Sequence, residues 1–210
     1  MIVLAADTSL PLLSVAILRE RLVIGAMSLE GKSSRNEKLL PAIDWLLTES
    51  GIERREIDLF AATRGPGSFT GVRIGLATIQ GLALALGKPV CSMSTHEAIA
   101  LGDEIASTAG RMVVHDDAGR GELYLSQFDG DREIVGPRLA TQEDLAALSA
   151  ASIRVLSAAE VVQHSNVAAS CARRALAIFE EGALERYSDP TPIYVRLAEA
   201  EVKLQQKRNA

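Results

Sequence analysis

The chain has 210 residues, of which 22 are Lys or Arg and 27 are Asp or Glu, so its formal net charge at pH 7 is −5. This acidic balance argues against broad, unaided nucleic-acid binding, which requires clustered basic residues. Hydrophobic residues make up 48% of the chain and aromatic residues only 4%, so Val, Ile, Leu and Ala must fill the core of one domain or two small ones.

The first half of the chain predicts a strand meander followed by a β-α-β unit. Three antiparallel strands come first, and the opening strand is expected at the centre of its sheet because it is apolar on both faces. Apolar residues at helical spacing predict a helix from about 36 to 50, in which Pro41 either kinks the first turn or sets the start of the regular helix. A strand then leads through a glycine-rich turn into a second helix, from about 70 to 86. The five strands are predicted at 2–7, 12–18, 21–30, 57–63 and 88–93.

The second half places a meander before helices and strands in the same way. Ser94 and Glu97 form a capping-box pattern for a helix through about residue 109, and Thr141 and Asp144 cap a second, short helix. The strands are predicted at 111–117, 121–129, 132–140 and 152–158, and a longer helix at 165–181. The tail from residue 188 has two prolines and then helical character. The two halves therefore indicate two related α/β units.

The sequence favours a soluble, cytoplasmic protein. The N-terminal stretch MIVLAAD has no basic region, and Asp7 ends its apolar run early, which is not typical of a signal peptide. The longest apolar stretch, at 74–86, is short for a bilayer and is interrupted by glycine. Cys91 and Cys171 are far apart in the sequence and are predicted to be buried thiols.

The glycine-rich turn does not match a phosphate-binding loop. Gly65 and Gly67 fit the first two positions of G-x-G-x-x-G, but Thr70 stands where the third glycine belongs and Gly71 comes one residue late. Ser68 also lacks the flanking glycines of a nucleophile elbow. The stretch GAMSLEGKSS fails the P-loop pattern by one glycine position.

Small residues line one side of the helix that follows the turn. Gly71, Gly75 and Thr78 stand at i, i+4 and i+7, with Gly81 one step round. Each glycine inside a helix costs about 0.8–1 kcal/mol relative to alanine, so the two need a packing reason. The bare side either admits the backbone of another subunit or lies on the protein's own sheet. The sequence also allows two interpretations of Trp45: it faces outward as an interface anchor, or it packs at the edge of the core.

No catalytic constellation is evident in the sequence. Asp7, in ADTS, ends the first strand, where sugar kinases and actin place a carboxylate for metal and phosphate, but an Asx turn is the preferred interpretation. His96, His115 and His164 do not form H-x-x-x-H or H-E-x-x-H, and each is expected at a surface or capping position. The alternatives left open are a metalloprotease-like or small-molecule kinase-like enzyme, and a freestanding homodimeric scaffold.

Five stretches, in order along the chain, resemble the TsaB family of bacterial tRNA threonylcarbamoyladenosine biosynthesis proteins. They are ADTS, NEKLLPAIDWLL, GPGSFTGVRIGLATIQGLA, DDAGRGELY and PIYVRLAEAE. The resemblance implies an α/β, two-lobed fold of the actin/Hsp70/sugar-kinase type. One lobe would comprise residues 1–100 with the tail 188–210, and the other residues 101–187.

The resemblance also implies a non-catalytic role in tRNA modification. Members of the family assist the attachment of threonylcarbamoyl to N6 of the adenosine beside the anticodon in tRNAs that read ANN codons. The catalytic paralogue, TsaD, holds the metal in an H-x-x-x-H motif and forms a heterodimer with TsaB, and the ATPase TsaE joins the pair. TsaB forms a homodimer when alone. We accordingly expect no cofactor or metal in this chain, a nucleotide at most at the complex junction, only indirect contact with tRNA and no membrane association.

The residues that would contact the partner are carried over by motif from the two helices and the glycine turn. The expected contact residues are Leu40, Ile43, Leu47, Gly71, Gly75, Thr78 and Leu82, with Arg64, Gly65, Ser68 and Thr70 at the edge and Trp45 as an anchor. Family members often have His-Ser-Glu before LLP, whereas this chain has Arg35, Asn36 and Glu37. Only Glu37 is therefore carried over from that triplet.

Overall fold

The computed structural model describes residues 1–30, 35–101, 110–151 and 153–196. The strands are β1 (Ile2–Asp7), β2 (Leu13–Arg19), β3 (Leu22–Leu29), β4 (Leu59–Thr63), β5 (Val90–Met93), β6 (Arg111–Gly119), β7 (Glu122–Asp129), β8 (Arg132–Ala140) and β9 (Arg154–Ser157). The helices are α1 (Arg35–Glu49), α2 (Phe69–Leu86), α3 (Thr95–Ala100), α4 (Gln142–Ala150), α5 (Ala158–His164) and α6 (Val167–Glu180), with short 3₁₀ turns at Arg54–Glu56 and Leu184–Tyr187.

The first sheet has the strand order β3-β2-β1-β4-β5. The strand β1 pairs antiparallel with β2 and parallel with β4, so it lies at the centre, as its apolar residues 2–6 predict. The crossover from β4 to the parallel strand β5 runs through α2. The predicted meander and β-α-β unit are both confirmed.

Helices cover both faces of the first sheet. Alternate residues of β1 point to opposite sides: Leu4 and Ala6 pack with the inner faces of α1 and α2, whereas Val3 and Ala5 lie in the cluster that includes α6. The helix α6 accordingly packs against β1, β2 and β4. A strand buried on both faces is expected to be apolar on both, which explains the apolar residues 2–6 of β1 before Asp7 at its end.

The second sheet has the order β8-β7-β6-β9, with antiparallel pairing along the meander and a parallel pair between β6 and β9. Both sheets therefore combine a three-stranded meander with a parallel strand beside its first strand. This arrangement confirms the α/β fold of the actin/Hsp70/sugar-kinase type, with two related units. The lobe limits of 1–100 with 188–210, and 101–187, stay a prediction.

Several element boundaries differ from those expected. The helix α1 begins at Arg35 and continues through Pro41, which stands in its interior instead of its first turn. The helix expected at 165–181 is preceded by the unpredicted α5, and it begins after Asn166, whose side chain accepts a hydrogen bond from the Ala169 amide. The helix predicted as far as residue 109 continues only to Ala100 in the described part, and residues 102–109 and the tail beyond 196 lie outside it.

The helix α2 is, among the described residues, the one helix long and apolar enough by length and composition to cross a bilayer, with a mean hydropathy of 1.4. It packs instead as the crossover helix of the first sheet, against β4, β1 and β5. Only 33% of its residues are buried inside the chain, so this apolar helix keeps much of its surface exposed.

Candidate partner interface

The glycine turn packs against the protein's own β1–β2 connection. Gly67 has φ +143, and a Cβ at this position would collide with the backbone carbonyl of Ser9. The Ser68 amide donates to that same carbonyl over 2.7 Å, and the Ser68 hydroxyl accepts from the Gly71 amide at the start of α2. The turn therefore joins two segments of one chain, and its glycine permits their close approach.

The bare side of α2 faces the same connection. A Cβ added to Gly75 would collide with the hydroxyl of Thr8, and that hydroxyl donates to the Gly71 carbonyl over 2.6 Å. Both glycines are buried. The sequence left two explanations for the bare side of α2, and the structure supports packing within the chain. We therefore remove Gly71 and Gly75 from the predicted set of partner-contact residues.

Three further predicted contact residues are also internal. Ile43 and Leu47 are 1% and 3% exposed, and both lie in the core cluster between α1, α2 and the first sheet. Gly65 is buried beneath the carbonyl of Ile193 in the tail. Because their own chain already covers them, these residues offer no side-chain surface to a second protein, which revises the sequence-based set.

The outer sides of α1 and α2 remain exposed, and we call them the α1–α2 surface. Its large apolar members are Leu40 at 46%, Trp45 at 53% and Leu84 at 85% exposure. Of the other predicted contact residues, Glu37 and Thr70 are exposed, and Arg64, Ser68, Thr78 and Leu82 are half-buried. The exposure of Trp45 supports its outward-facing interpretation.

The side of α2 that is exposed to solvent and carries small residues is not the side of Gly71 and Gly75 that the sequence indicated. Thr70, Ala77, Gly81 and Leu84 recur at helical spacing and are all exposed. A Cβ added to Gly81 would meet nothing within 4 Å. Sequence reasoning missed Leu84 and Ala77, although the position of Gly81, one step round from the stripe of Gly71, Gly75 and Thr78, was a signal for a second small face.

The tail runs along α2 from Phe69 to Gln80. Arg73 lies over the ring of Phe69, 3.8 Å from its centroid, and its Nε donates to the Tyr194 hydroxyl over 2.6 Å. Gln80 donates to the carbonyl of Pro190. These contacts hold the tail against α2.

Asp7 is a structural carboxylate. Its Oδ1 accepts from the hydroxyls of Ser9 and Thr63 and from the Ser9 amide at 3.2 Å, which confirms the Asx turn. The Ser9 hydroxyl also lies 2.8 Å from that of Thr95. Burial raises the pKa of Asp7, and these hydrogen bonds partly offset the rise. The carboxylate is fully buried in the free chain, and its Oδ2 has no hydrogen-bond partner among the described residues.

The histidines do not converge on a metal. His96 is fully buried, its Nδ1 lies 2.8 Å from the Ser126 hydroxyl, and burial lowers its pKa to about 3. This burial corrects the expected surface or capping position for His96. Within residues 1–30, 35–101, 110–151 and 153–196, no group of three or more His, Cys, Asp and Glu side chains could hold a metal ion.

Comparison with known proteins points to a single family. The family model described as TsaD, tRNA N6-adenosine threonylcarbamoyltransferase, matches residues 31–169. The protein named tRNA threonylcarbamoyladenosine biosynthesis protein TsaB is 37% identical over 129 residues in Escherichia coli, covering 61% of this chain and 55% of the relative. In Bacillus subtilis the protein of that name is 33% identical over 128 residues, again covering 61% of this chain and 55% of the relative. The chain thus spans about half the length of the curated relatives it matches.

A solved structure extends the similarity over nearly the whole chain. YeaZ from Pseudomonas aeruginosa is 27% identical, covers 92% of this chain and 99% of its own, and superposes with a TM-score of 0.72. The likeness therefore extends well beyond the part of the chain that the curated relatives match.

Proposed function

Because the chain belongs to the tRNA N6-adenosine threonylcarbamoyltransferase family, in its TsaB branch, we propose that it takes part in threonylcarbamoylation of tRNA as a non-catalytic partner of TsaD. The modified position would be N6 of the adenosine beside the anticodon in tRNAs that read ANN codons. The chain would hold the catalytic subunit in its active arrangement, and TsaE would join the pair.

The observation that carries this proposal is the exposed apolar α1–α2 surface on a net acidic chain. Trp45 and Leu84 are more than half exposed, although leaving large apolar side chains in water forgoes a stabilisation of about 1.5–3 kcal/mol each. Exposed apolar patches of this kind mark interaction sites. The exposed small residues Ala77 and Gly81, which precede Leu84 on α2, would allow a partner helix to approach the backbone of α2 closely.

The same surface accounts for a homodimer in the absence of TsaD. Two copies would bury their α1–α2 surfaces against each other about a two-fold axis, and TsaD would displace one copy by offering equivalent helices. The exchange predicts that homodimer and heterodimer compete, so a substitution on the surface weakens both.

A charge placed on the α1–α2 surface tests the proposal. Trp45→Glu and Leu84→Glu should each weaken the complex with TsaD, measured by analytical ultracentrifugation and pull-down. The loss should be at least about 2 kcal/mol, roughly thirtyfold in Kd, because each buries an unpaired carboxylate in place of an anchor. Both side chains are exposed in the free chain, so its Tm should change little.

The control is Ile134→Glu, which changes an exposed apolar side chain, at 43% exposure, on β8 of the second sheet. This variant should bind TsaD as the wild type does. Equal binding by all three variants would contradict the interface. The enzyme alternatives are separated by metal analysis of the purified chain and by calorimetry with ATP, since a metalloprotease requires a bound metal and a kinase binds ATP alone.

A further inference from the structure

A cavity of about 400 Å³ opens where the first sheet meets the second unit and the tail. Arg64, directly after β4, and Ser94, directly after β5, form one wall, so the cavity lies at the carboxyl ends of two parallel strands. Crevices outside such strand ends are the common ligand sites of open α/β sheets. The opposite walls come from Glu133 of β8, Arg174 of α6 and Arg186 of the 3₁₀ turn. Its volume falls within the range of about 300–1,000 Å³ usual for small-molecule pockets.

Three polar atoms in this lining are buried without a hydrogen-bond partner in the part of the chain that the structure describes. They are Nε of Arg64, which can only donate, Oγ of Ser92, which can donate or accept, and Oε1 of Glu133, which accepts when ionised. Buried polar groups are normally satisfied, and each unsatisfied group destabilises the fold. A ligand that offers an acceptor to Arg64 and a donor to Glu133 would satisfy two of these atoms, and the Ser92 hydroxyl could bind either kind of group.

The charges of the lining are only partly paired. Arg64 Nη1 binds Asp189 over 2.6 Å, and Arg174 binds Glu97 over 3.1 Å and lies 3.9 Å from Glu181. Glu133 and Arg186 form no ion pair among the described residues. Burial raises the pKa of Glu133 to about 7, with the Glu97 carboxylate adding to the rise and the Arg64 charge opposing it.

The lining therefore discriminates by charge. It contains three arginines and three glutamates, namely Arg64, Arg174, Arg186, Glu97, Glu133 and Glu181. A ligand with only negative charge would be repelled by the glutamates, and a ligand with only positive charge would be repelled by the arginines. A molecule with one charge of each sign has a favourable orientation, with its anionic end toward the arginines and its cationic end toward Glu133.

We propose that this cavity binds a small zwitterion of the amino-acid type. Its carboxylate accepts from Arg64 Nε and pairs with Arg186, and its ammonium group donates to Glu133 Oε1. The site lies apart from the α1–α2 surface, shares with the predicted contact residues only Arg64 at the edge, and does not depend on the proposed function.

The test is calorimetric titration of the full chain with L-threonine and L-glutamine as the zwitterionic probes. Propionate and propylamine serve as probes that carry only the carboxylate or only the ammonium group. We expect the amino acids to bind and to raise the Tm, and the two single-charge probes to bind at least about tenfold more weakly, since each lacks one charge-assisted hydrogen bond.

Two variants and two matched controls locate the binding. Glu133→Gln and Arg186→Gln should each weaken amino-acid binding about tenfold or more. Arg132→Gln and Glu185→Gln change exposed neighbours outside the cavity lining and should leave it unaltered. Absence of amino-acid binding up to about 10 mM, equal binding of propionate or propylamine, or unchanged affinity in both cavity variants would overturn the proposal.

Discussion

Replacing Gly75 by alanine tests whether the bare side of α2 serves the protein's own packing. The new Cβ would collide with the Thr8 hydroxyl, with the Thr8 Cβ at 3.5 Å and its Cγ2 at 3.7 Å behind it. Because Thr8 is buried and its hydroxyl bonds to the Gly71 carbonyl, the side chain cannot turn away without losing that bond. Gly75→Ala should therefore destabilise the isolated chain.

The magnitude follows from three contributions. Overpacking in a well-packed core costs about 1–3 kcal/mol, and the loss of a buried neutral hydrogen bond adds about 1 kcal/mol. The higher helix propensity of alanine returns about 0.8–1 kcal/mol. The net loss in the free energy of unfolding is roughly 1–3 kcal/mol, which corresponds to a Tm lower by several degrees.

Urea unfolding of the wild type and matched variants measures this loss. Gly81→Ala makes the same chemical change on the same helix at an exposed position with nothing within 4 Å, so it should stabilise the chain by about 0.8–1 kcal/mol. Removing the Thr8 hydroxyl in Thr8→Ala should rescue part of the Gly75→Ala loss in a double-mutant cycle. A Gly75→Ala chain as stable as the Gly81→Ala chain would refute the reasoning.

Three other substitutions in the cavity and the glycine turn are tested by protein stability. Burial raises the pKa of Glu133 from 4.5 to about 7. Because the unfolded chain loses this proton at lower pH than the folded chain, the free energy of unfolding falls as the pH rises through that interval. Glu133→Gln should make this fall shallower in urea titrations at several pH values. Arg174→Met leaves Glu97 buried without its ion pair and should cost about 3 kcal/mol by urea unfolding. Gly67→Ala sets a methyl group against the Ser9 carbonyl at φ +143 and should lower stability by more than about 2 kcal/mol in the same assay; wild-type stability in either of the last two would contradict its assignment.

Local sequence patterns predicted most of the fold. The apolar residues 2–6 of β1 predict a central strand, and the capping residues Ser94 and Thr141 each mark the start of a helix. These features depend on residues close together in the sequence. The separate helix α5 was missed because its seven residues carry only a short pattern, and Asn166 rather than Ser165 provides the next cap.

The candidate interface was less predictable because burial depends on contacts between distant segments. Spacing identified a bare side at Gly71 and Gly75, but the residue that fills it, Thr8, lies 63 residues before Gly71. Ile43 and Leu47 have the spacing of an inner helix face, and assigning them to a partner required the family resemblance. The cavity beside Arg64 combines residues from both units and the tail, so no local pattern in the sequence indicates it.

Reconstituted threonylcarbamoylation of tRNA with TsaD and TsaE, in the presence and absence of this chain, tests the central claim most directly. We predict that modification requires the chain and that a variant with both Trp45→Glu and Leu84→Glu fails to support it while remaining folded. Modification at an equal rate without the chain, or with the double variant, would contradict the account.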